Sequence, residues 1–186
     1  MLGVATLIIV MSVMNGFRQE LLTRILGVNG HLSVYSDSEK LTNYDALALR
    51  VQKIDGVVKV TPMIEGQVMA SANGQAKGAV VRGLRRADVQ QRTILAENIQ
   101  QGSISDLTGN NAVMLGSRMA RNMGLRIGDK ITLISPKGNV TAFGTVPRMK
   151  AYKVAAIFNV GMHEYDSSFI FMPLPAAQTY FKLKGA

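Results

Sequence analysis

The opening stretch, MLGVATLIIVMSVMNGFRQELLTRIL (residues 1–26), decides how the rest of the fold is interpreted. It carries no charged side chain before Arg18, and apolar residues then continue at helical spacing through Leu22 and Leu26. A secretory signal peptide needs a basic start and a small-residue cleavage site, and this stretch has neither. Two interpretations remain, a buried helix of a soluble protein or the second half of a membrane span. Apolar residues on all faces, followed by an amphipathic continuation, favour the membrane span.

The composition indicates a folded and basic protein. Of its 186 residues, 47% are hydrophobic, and the formal net charge is +9. Such a charge suits nucleic acid, an anionic membrane surface or an acidic partner. Cysteine is absent from the sequence, which excludes disulfides, thiolate metal sites and cysteine nucleophiles.

Residues 29–84 are predicted to begin with a β-α-β unit. HLSVYS (31–36) alternates as a strand does, and DGVVKVTPMI (55–64) is predicted as a second strand. Between them, YDALALRVQKI (44–54) places its apolar residues on one helical face. One such unit makes a poor core by itself, so this first lobe is predicted to be incomplete.

A hairpin and a mainly β segment complete the predicted α+β fold. Asn73-Gly74 separates two strand-like runs, and this dipeptide is typical of a tight hairpin because both positions accept positive φ. Residues 85–105 are predicted to form short helical turns and loop. From Ala112 onward, strands alternate with short helices, and the last helix is predicted to begin near Pro175.

Catalytic and metal-binding patterns are weak. His163, Glu164 and Asp166 lie together in GMHEYDSS, but no second cluster of ligands completes a metal site and no nucleophile-base-acid pattern forms a triad. We therefore predict a structural turn there. Neither a Walker-type phosphate loop nor a dinucleotide fingerprint occurs. The sequence predicts no catalytic residue, no metal site and no cofactor in this chain.

A cluster of basic residues between positions 77 and 92 is the next candidate. Nucleic-acid binding would require exposed aromatic residues or a recognition helix beside it, and no aromatic residue lies between Tyr44 and Phe143. A solvated basic face is the favoured interpretation. The cluster consists of Lys77, Arg82, Arg85, Arg86 and Arg92.

The stretch PKGNVTAFGTVPRMK (136–150) does not fit an ordinary polar loop. Phe143 and Val146 are apolar at a place where loop sequence is normally polar, and Gly144 and Pro147 fit neither strand nor helix interiors. An apolar tip between cationic flanks suits capture of a protein with an acidic rim and an apolar cavity. A plain long hairpin is the alternative. The cations in and beside this stretch are Lys137, Arg148, Lys150 and Lys153.

Three stretches resemble the LolC/LolE permeases, the membrane subunits of the ABC machine that releases lipoproteins from the bacterial inner membrane. They are LGVATLIIVMSVMNGFRQELLTRILGVNGHL, VMLGSRMARNMGLRIGDKITLISP and YDSSFIFMPLPAAQTYF. The resemblance covers nearly the whole chain, and SVMNGF followed by ELLTRILGV is its most specific part. Gly30 stands where the family usually has proline.

The resemblance implies a domain organisation and a set of partners. Residues 1–28 would be the end of the first transmembrane helix, 29–84 a porter-like part, and 85–186 a sabre-like lobe in which 136–150 resembles the chaperone-capturing hook of the C-type permease. The porter-like part and the sabre-like lobe together would form a head that stands in the periplasm. The implied partners are a second permease subunit, a cytoplasmic ATPase subunit that holds ATP and magnesium, the periplasmic chaperone LolA, the lipoprotein substrate and membrane lipid.

The resemblance also implies contact residues, and alternatives remain open. Chaperone-binding residues would be Phe143, Gly144, Val146, Pro147 and Arg148, with Arg148 steering acidic patches; lipoprotein-contacting residues would be Met11, Met14 and Phe17. The hook favours a C-type or hybrid permease over the E-type. The first alternative is a permease of the same superfamily devoted to efflux or cell-wall signalling. The second is a basic soluble β-barrel that binds DNA.

Overall fold

The computed structural model describes residues 2–36, 41–141 and 144–183, which fall into two compact units, Met1–Val34 and Tyr35–Ala186. The first unit contains one helix, α1 (Leu2–Val28), of 27 residues. It is long and apolar enough to cross a membrane, and none of its apolar window is buried. The predicted helix is confirmed, and its exposure speaks against the core helix of a soluble protein.

The second unit contains the remaining elements. Its helices are α2 (Tyr44–Gln52), α3 (Arg86–Gln90), α4 (Thr93–Ala96), α5 (Ser117–Asn122), α6 (His163–Ser168) and α7 (Leu174–Phe181), with a 3-10 turn at Ile104–Asp106. Its strands are β1 (Ile64–Ala72), β2 (Gln75–Leu84), β3 (Ile99–Gly102), β4 (Ala112–Gly116), β5 (Lys130–Thr141), β6 (Gly144–Phe158) and β7 (Phe169–Pro173). The mixture confirms the predicted α+β class.

Six of these strands close into a small barrel. The strand order is β3-β6-β4-β7-β2-β1-β5, and a further pairing between β5 and β6 closes the ring. The β2–β7 and β4–β6 pairs are parallel and the other pairs are antiparallel. Strand β3 lies outside the ring and pairs with the end of β6.

The interior of the barrel forms the main core. Successive side chains of a strand point to opposite faces, so alternate residues of every ring strand fill one interior. These residues are Val68 and Ala70, Ala79 and Val81, Val113 and Leu115, Ile131 and Leu133, Tyr152 and Val154, and Ile170 and Met172. All of them are buried.

The β1–β2 hairpin forms at the predicted dipeptide. Asn73 and Gly74 both have positive φ, 49° and 75°, and Ala72 pairs with Gln75 across them. The side-chain amide of Asn73 also donates to the carbonyl oxygen of Met123 at 2.9 Å. This contact ties the hairpin turn to the end of α5.

Helix α7 packs directly on the hairpin because two glycines make room for it. A Cβ atom on Gly83 would lie 2.3 Å from the Cβ of Ala177, and one on Gly66 would lie 2.5 Å from the ring of Phe181. Both distances are far below a normal van der Waals contact. The glycines therefore set the distance between α7 and the sheet.

The predicted β-α-β unit is wrong in its two strands. Its helix is present as α2, but residues 31–36 and 55–63 form no strand. Leu32 and Val58 are 91% and 93% exposed, so nothing in the described part of the chain covers these apolar side chains. Alternation produces a strand only where a neighbour supplies hydrogen bonds and a core, and here neither is provided.

The predicted domain boundary at residue 84 separates strands that belong to the same barrel. Strands β1 and β2 lie before it, yet they pair with β5 and β7, which lie after it. The structure therefore places the β1–β2 hairpin in one sheet with strands β3 to β7. The division into a porter-like and a sabre-like lobe stays a prediction.

Candidate functional site

Strands β5 and β6 continue beyond the barrel as a projecting hairpin, described at residues 136–141 and 144–147; we call the segment 136–147 the arm. Within the barrel, Lys130–Ser135 pair with Arg148–Lys153. Farther out, Asn139, Val140 and Thr141 pair with Val146, Thr145 and Gly144. The predicted long loop is therefore a long hairpin that leaves its sheet.

A bulge separates the arm from the barrel. Between the paired positions, residues 136–138 on β5 stand opposite Pro147 alone on β6. Pro136 and Pro147 both lack a backbone N–H, and proline on an exposed strand discourages pairing with a further strand. Pairing with a further strand is therefore disfavoured at the base of the arm.

The tip of the arm lies partly outside the described residues. Gly144 pairs with Thr141 and has a φ of 114°, a backbone conformation that favours glycine. Phe143, predicted to insert into an apolar groove of the chaperone, lies outside the described residues. Its role stays a prediction.

The described part of β6 presents exposed apolar side chains on the arm and directly beside it. Val146 is 54% exposed and Met149 is 63% exposed, and Pro147 between them is exposed as well. Met149 is paired across the sheet with Ile134, which is paired in turn with Met69 on β1. An apolar row thus continues from the arm across the outer face of the barrel, a feature that sequence alone did not reveal.

Two of the predicted cations hold the base of the arm. The guanidinium of Arg148 donates to the backbone oxygen of Tyr180 on α7. The ammonium of Lys150 donates to the carbonyl oxygen of Asn110 at 3.0 Å and lies 4.9 Å from the ring centre of Tyr152. Arg148 therefore anchors the arm to α7, a role that was not predicted. Its steering of acidic partners stays a prediction.

Buried aromatic rings support this base. The rings of Tyr152 and Tyr180 meet edge to face, with centroids 5.9 Å apart. Burial raises the pKa of Tyr180 to about 12, although the nearby charge of Arg148 lowers it, and burial raises the pKa of Tyr152 further still. Both phenols are neutral at physiological pH and act as packing groups beneath the base of the arm.

The three polar residues predicted to form a turn lie in α6. Asp166 is buried, and its Oδ1 accepts a hydrogen bond from the backbone N–H of Val160 at 2.9 Å. His163 and Glu164 are exposed on the same helix. Asp166 thus fixes the loop that leaves β6. Burial raises the pKa of its carboxyl group, and backbone hydrogen bonds from Val160 and Gly161 oppose that rise.

We expect Asp166→Asn to change how stability depends on pH. Because the pKa of Asp166 is raised in the folded protein, its contribution to stability is present below its ordinary pKa and is lost as pH rises through the raised value. The amide keeps an acceptor for Val160 and cannot ionise. The free energy of unfolding of the variant, relative to the parent, should therefore increase between pH 4 and pH 7. Urea unfolding at several pH values measures this, and a pH-independent difference would contradict it.

The predicted solvated basic face is wrong for Arg82. This side chain is buried, donates to the carboxylate of Glu65 at 2.7 Å and lies 4.6 Å from the ring centre of Phe169. Burial also lowers the pKa of Arg92. Arg85 pairs with Asp45 of α2 and lies over the ring of Tyr44. Arg82 and Arg85 therefore connect elements, because each lies beside a carboxylate and an aromatic ring of another element.

The predicted lipoprotein-contacting residues are exposed on α1. Met11, Met14 and Phe17 are all more than half exposed. A long apolar side chain there can contact lipid or an acyl chain. Their contact with lipoprotein stays a prediction.

Comparison with known proteins connects the sequence to one family. A family model described as the MacB-like periplasmic core domain matches residues 1–185. The lipoprotein-releasing system transmembrane protein LolC of Neisseria meningitidis serogroup B is 30% identical over 183 residues, which cover 98% of this chain and 44% of that protein. LolE of Haemophilus influenzae is 26% identical, covering 96% and 44% respectively. The predicted resemblance to LolC/LolE is thereby confirmed.

Two solved structures are similar to this chain in fold. The extracellular domain of the noncanonic ABC-type transporter YknZ from Gram-positive bacteria has a TM-score of 0.52 at 14% identity, covering 78% of this chain and 69% of that one. The periplasmic region of MacB from Actinobacillus actinomycetemcomitans has a TM-score of 0.50 at 14% identity, covering 78% and 62%. At this identity the likeness concerns the fold alone.

Proposed function

The chain belongs to the family of MacB-like periplasmic core domains, and from this premise we propose that it is part of an ABC transporter permease that releases lipoproteins from the bacterial inner membrane. The chain spans about half the length of the curated relatives it matches, 44% of LolC from Neisseria meningitidis. The activity of the whole protein is therefore inferred from these relatives and from the arm.

Support for lipoprotein release over efflux or signalling comes from the relatives that cover almost the entire chain. LolC of Neisseria meningitidis and LolE of Haemophilus influenzae match 98% and 96% of it, at 30% and 26% identity. Matches of this extent include both α1 and the arm. We propose a C-type or hybrid permease, because the arm has the apolar, proline-containing form expected of the hook.

The arm would capture the periplasmic lipoprotein chaperone LolA. The observation that supports this proposal is an exposed apolar surface on a hydrogen-bonded base, with Val146 and Pro147 presented beyond the barrel and Arg148 bonded to α7. A pre-shaped surface loses less conformational entropy on binding than a flexible loop does. The contacts at the base therefore favour capture of a protein partner.

The other partners follow from the same proposal. Helix α1 would root the head in the inner membrane, with Met11, Met14 and Phe17 placed to contact the lipoprotein before its transfer. ATP with magnesium would be bound by a separate cytoplasmic ATPase subunit. The head itself would act as a non-enzymatic acceptor and delivery surface in the periplasm.

We expect Val146→Ala to weaken binding of the chaperone about fivefold, because it removes apolar surface from the contact. Val58→Ala is the matched control, since Val58 is 93% exposed but lies outside the arm. Isothermal titration of the detergent-solubilised chain with purified LolA measures both. Equal affinities for the two variants would contradict the proposed function.

We expect a larger effect from Phe143→Ala. An aromatic anchor at the centre of an interface typically contributes about 2 kcal/mol, so affinity should fall about 30-fold. The same titration measures this loss, and circular dichroism verifies that the barrel is folded. Affinity equal to that of the parent in a folded variant would show that Phe143 is not an anchor.

A further inference from the structure

The sulfur chemistry of this chain belongs to methionine alone, because the sequence contains eleven methionines and no cysteine. In the described part of the head, the methionines differ sharply in exposure. The buried ones are Met114, Met119, Met123 and Met172, and Met162 is partly buried. The exposed ones are Met63, Met69 and Met149. A reagent dissolved in water therefore reaches the exposed group first.

Met149 has the most exposed side chain of this group. It is 63% exposed, against 44% for Met69 and 37% for Met63. Its neighbours on the outer face of the barrel include Ile134, directly across the sheet on β5, and Ala151, two residues along β6. Neither neighbour carries a charge. The thioether of Met149 therefore lies in an uncharged surface directly beside the arm.

A thioether in this position is open to oxidation by hydrogen peroxide. One oxygen atom passes from the peroxide to the sulfur and water is the other product, so the sulfur is oxidised and the peroxide is reduced. The resulting sulfoxide is polar and chiral, whereas the thioether is apolar and flexible. Oxidation at an exposed methionine therefore changes the surface without requiring the barrel to open.

We propose that Met149 is a site of reversible oxidation that switches off chaperone capture by the arm. The inference rests on the proposed function, because it requires the exposed apolar surface of β6 to contact LolA. A sulfoxide places a polar oxygen in that contact, and burying a polar group without a hydrogen-bond partner is unfavourable. We expect the affinity for LolA to fall about tenfold. Methionine sulfoxide reductases return the sulfoxide to the thioether, so the loss is reversible.

Two substitutions separate oxidation of this residue from oxidation elsewhere. Met149→Leu keeps an apolar side chain of similar volume and removes the sulfur. Met63→Leu is the matched control, since Met63 is also exposed but precedes β1 and lies outside the surface of β6. Both variants retain every other methionine of the chain. For each variant, the affinity after treatment is compared with that of the same variant before treatment.

Peroxide treatment of the detergent-solubilised chain tests the proposal, with the peroxide removed before titration with purified LolA. By peptide mass spectrometry, we expect Met149 to gain one oxygen atom at least about tenfold faster than the buried Met119, because oxidation follows exposure. Treatment should weaken LolA binding by the parent and by Met63→Leu, but not by Met149→Leu. Incubation of the treated parent with the two methionine sulfoxide reductases and dithiothreitol should restore its affinity.

Three results would overturn the inference. They are equal oxidation rates at Met149 and Met119, an unchanged affinity of the parent oxidised at Met149, and an equal loss of affinity in treated Met149→Leu and Met63→Leu. If the untreated parent binds LolA, any of these results leaves the proposed function standing. Absence of binding by the untreated parent would overturn both proposals. Circular dichroism after treatment verifies that the barrel is folded.

Discussion

A variant in which an Asn-Gly turn replaces residues 136–147 is expected to lose chaperone capture by about 100-fold or more. The replacement removes the whole arm, including Val146, Pro147 and the tip. It leaves Ser135 and Arg148, which are already paired across β5 and β6. A two-residue Asn-Gly turn fits such a pair, so the barrel should close normally. Calorimetric titration with LolA measures the loss.

The stability of this variant must be measured as a control, to verify that the barrel is intact. All the residues that fill the barrel lie outside the removed segment, so the midpoint of thermal unfolding should stay close to that of the parent. A folded variant without the arm that still binds LolA with the parent's affinity would contradict the role of the arm.

Gly83→Ala is expected to destabilise the head by about 2–3 kcal/mol, because overpacking forces neighbouring atoms to move. The new Cβ would lie 2.3 Å from the Cβ of Ala177, on a helix held against β2. For a chain of this size we expect the midpoint of thermal unfolding to fall by about 5–10 °C. Circular dichroism of the protein in detergent measures the midpoint. The displaced α7 should also disturb the carbonyl of Tyr180 that anchors Arg148.

Gly78→Ala is the matched control on the same strand. A Cβ atom there would meet nothing within 4 Å, so its effect should stay within about 0.5 kcal/mol. Ala177→Gly added to Gly83→Ala removes the clash and should cost less than the sum of the two single changes. A strictly additive pair, or equal midpoints for Gly83→Ala and Gly78→Ala, would contradict the packing described for α7.

The elements that sequence predicted correctly are those whose signals are local. The Asn73-Gly74 turn needs only two residues with positive φ, and α1 needs only a long run of apolar residues. Helix α2 is similarly visible in its own periodicity. The strands predicted at 31–36 and 55–64 were wrong because a strand depends on neighbouring strands and a core. In the described part of the chain, no other residues cover the side chains of Leu32 and Val58.

The barrel could not be predicted because its closure is a long-range property. Strand β5 pairs with β1, some 60 residues earlier, through only three registered positions, Met69 to Ser71 with Thr132 to Ile134. The parallel β2–β7 pair joins positions even farther apart in sequence, such as Val81 and Ile170. No local pattern encodes either pairing. The sequence therefore indicated strands without showing that they form one ring.

Composition marked residues 136–150 as a candidate site. It did not indicate which contacts hold the base of this segment. Gly144 and Pro147 marked residues 136–150 as unusual, and the structure places this segment on a projecting hairpin. Arg148 was predicted as a steering cation, whereas its guanidinium bonds to the backbone of Tyr180. A backbone acceptor leaves no trace in the sequence. Such contacts are therefore the part of a site that sequence reasoning misses.

Photo-crosslinking from position 146 in the membrane-embedded protein would report directly whether the arm contacts LolA. A photoreactive amino acid at position 146, on the arm, is compared with the same amino acid at position 58, which is exposed elsewhere on the head. With lipoprotein, ATP and LolA present, we expect a crosslink to LolA from position 146 that is absent from position 58. Crosslinks to LolA from both positions alike, or from neither while lipoprotein release proceeds, would contradict capture by the arm.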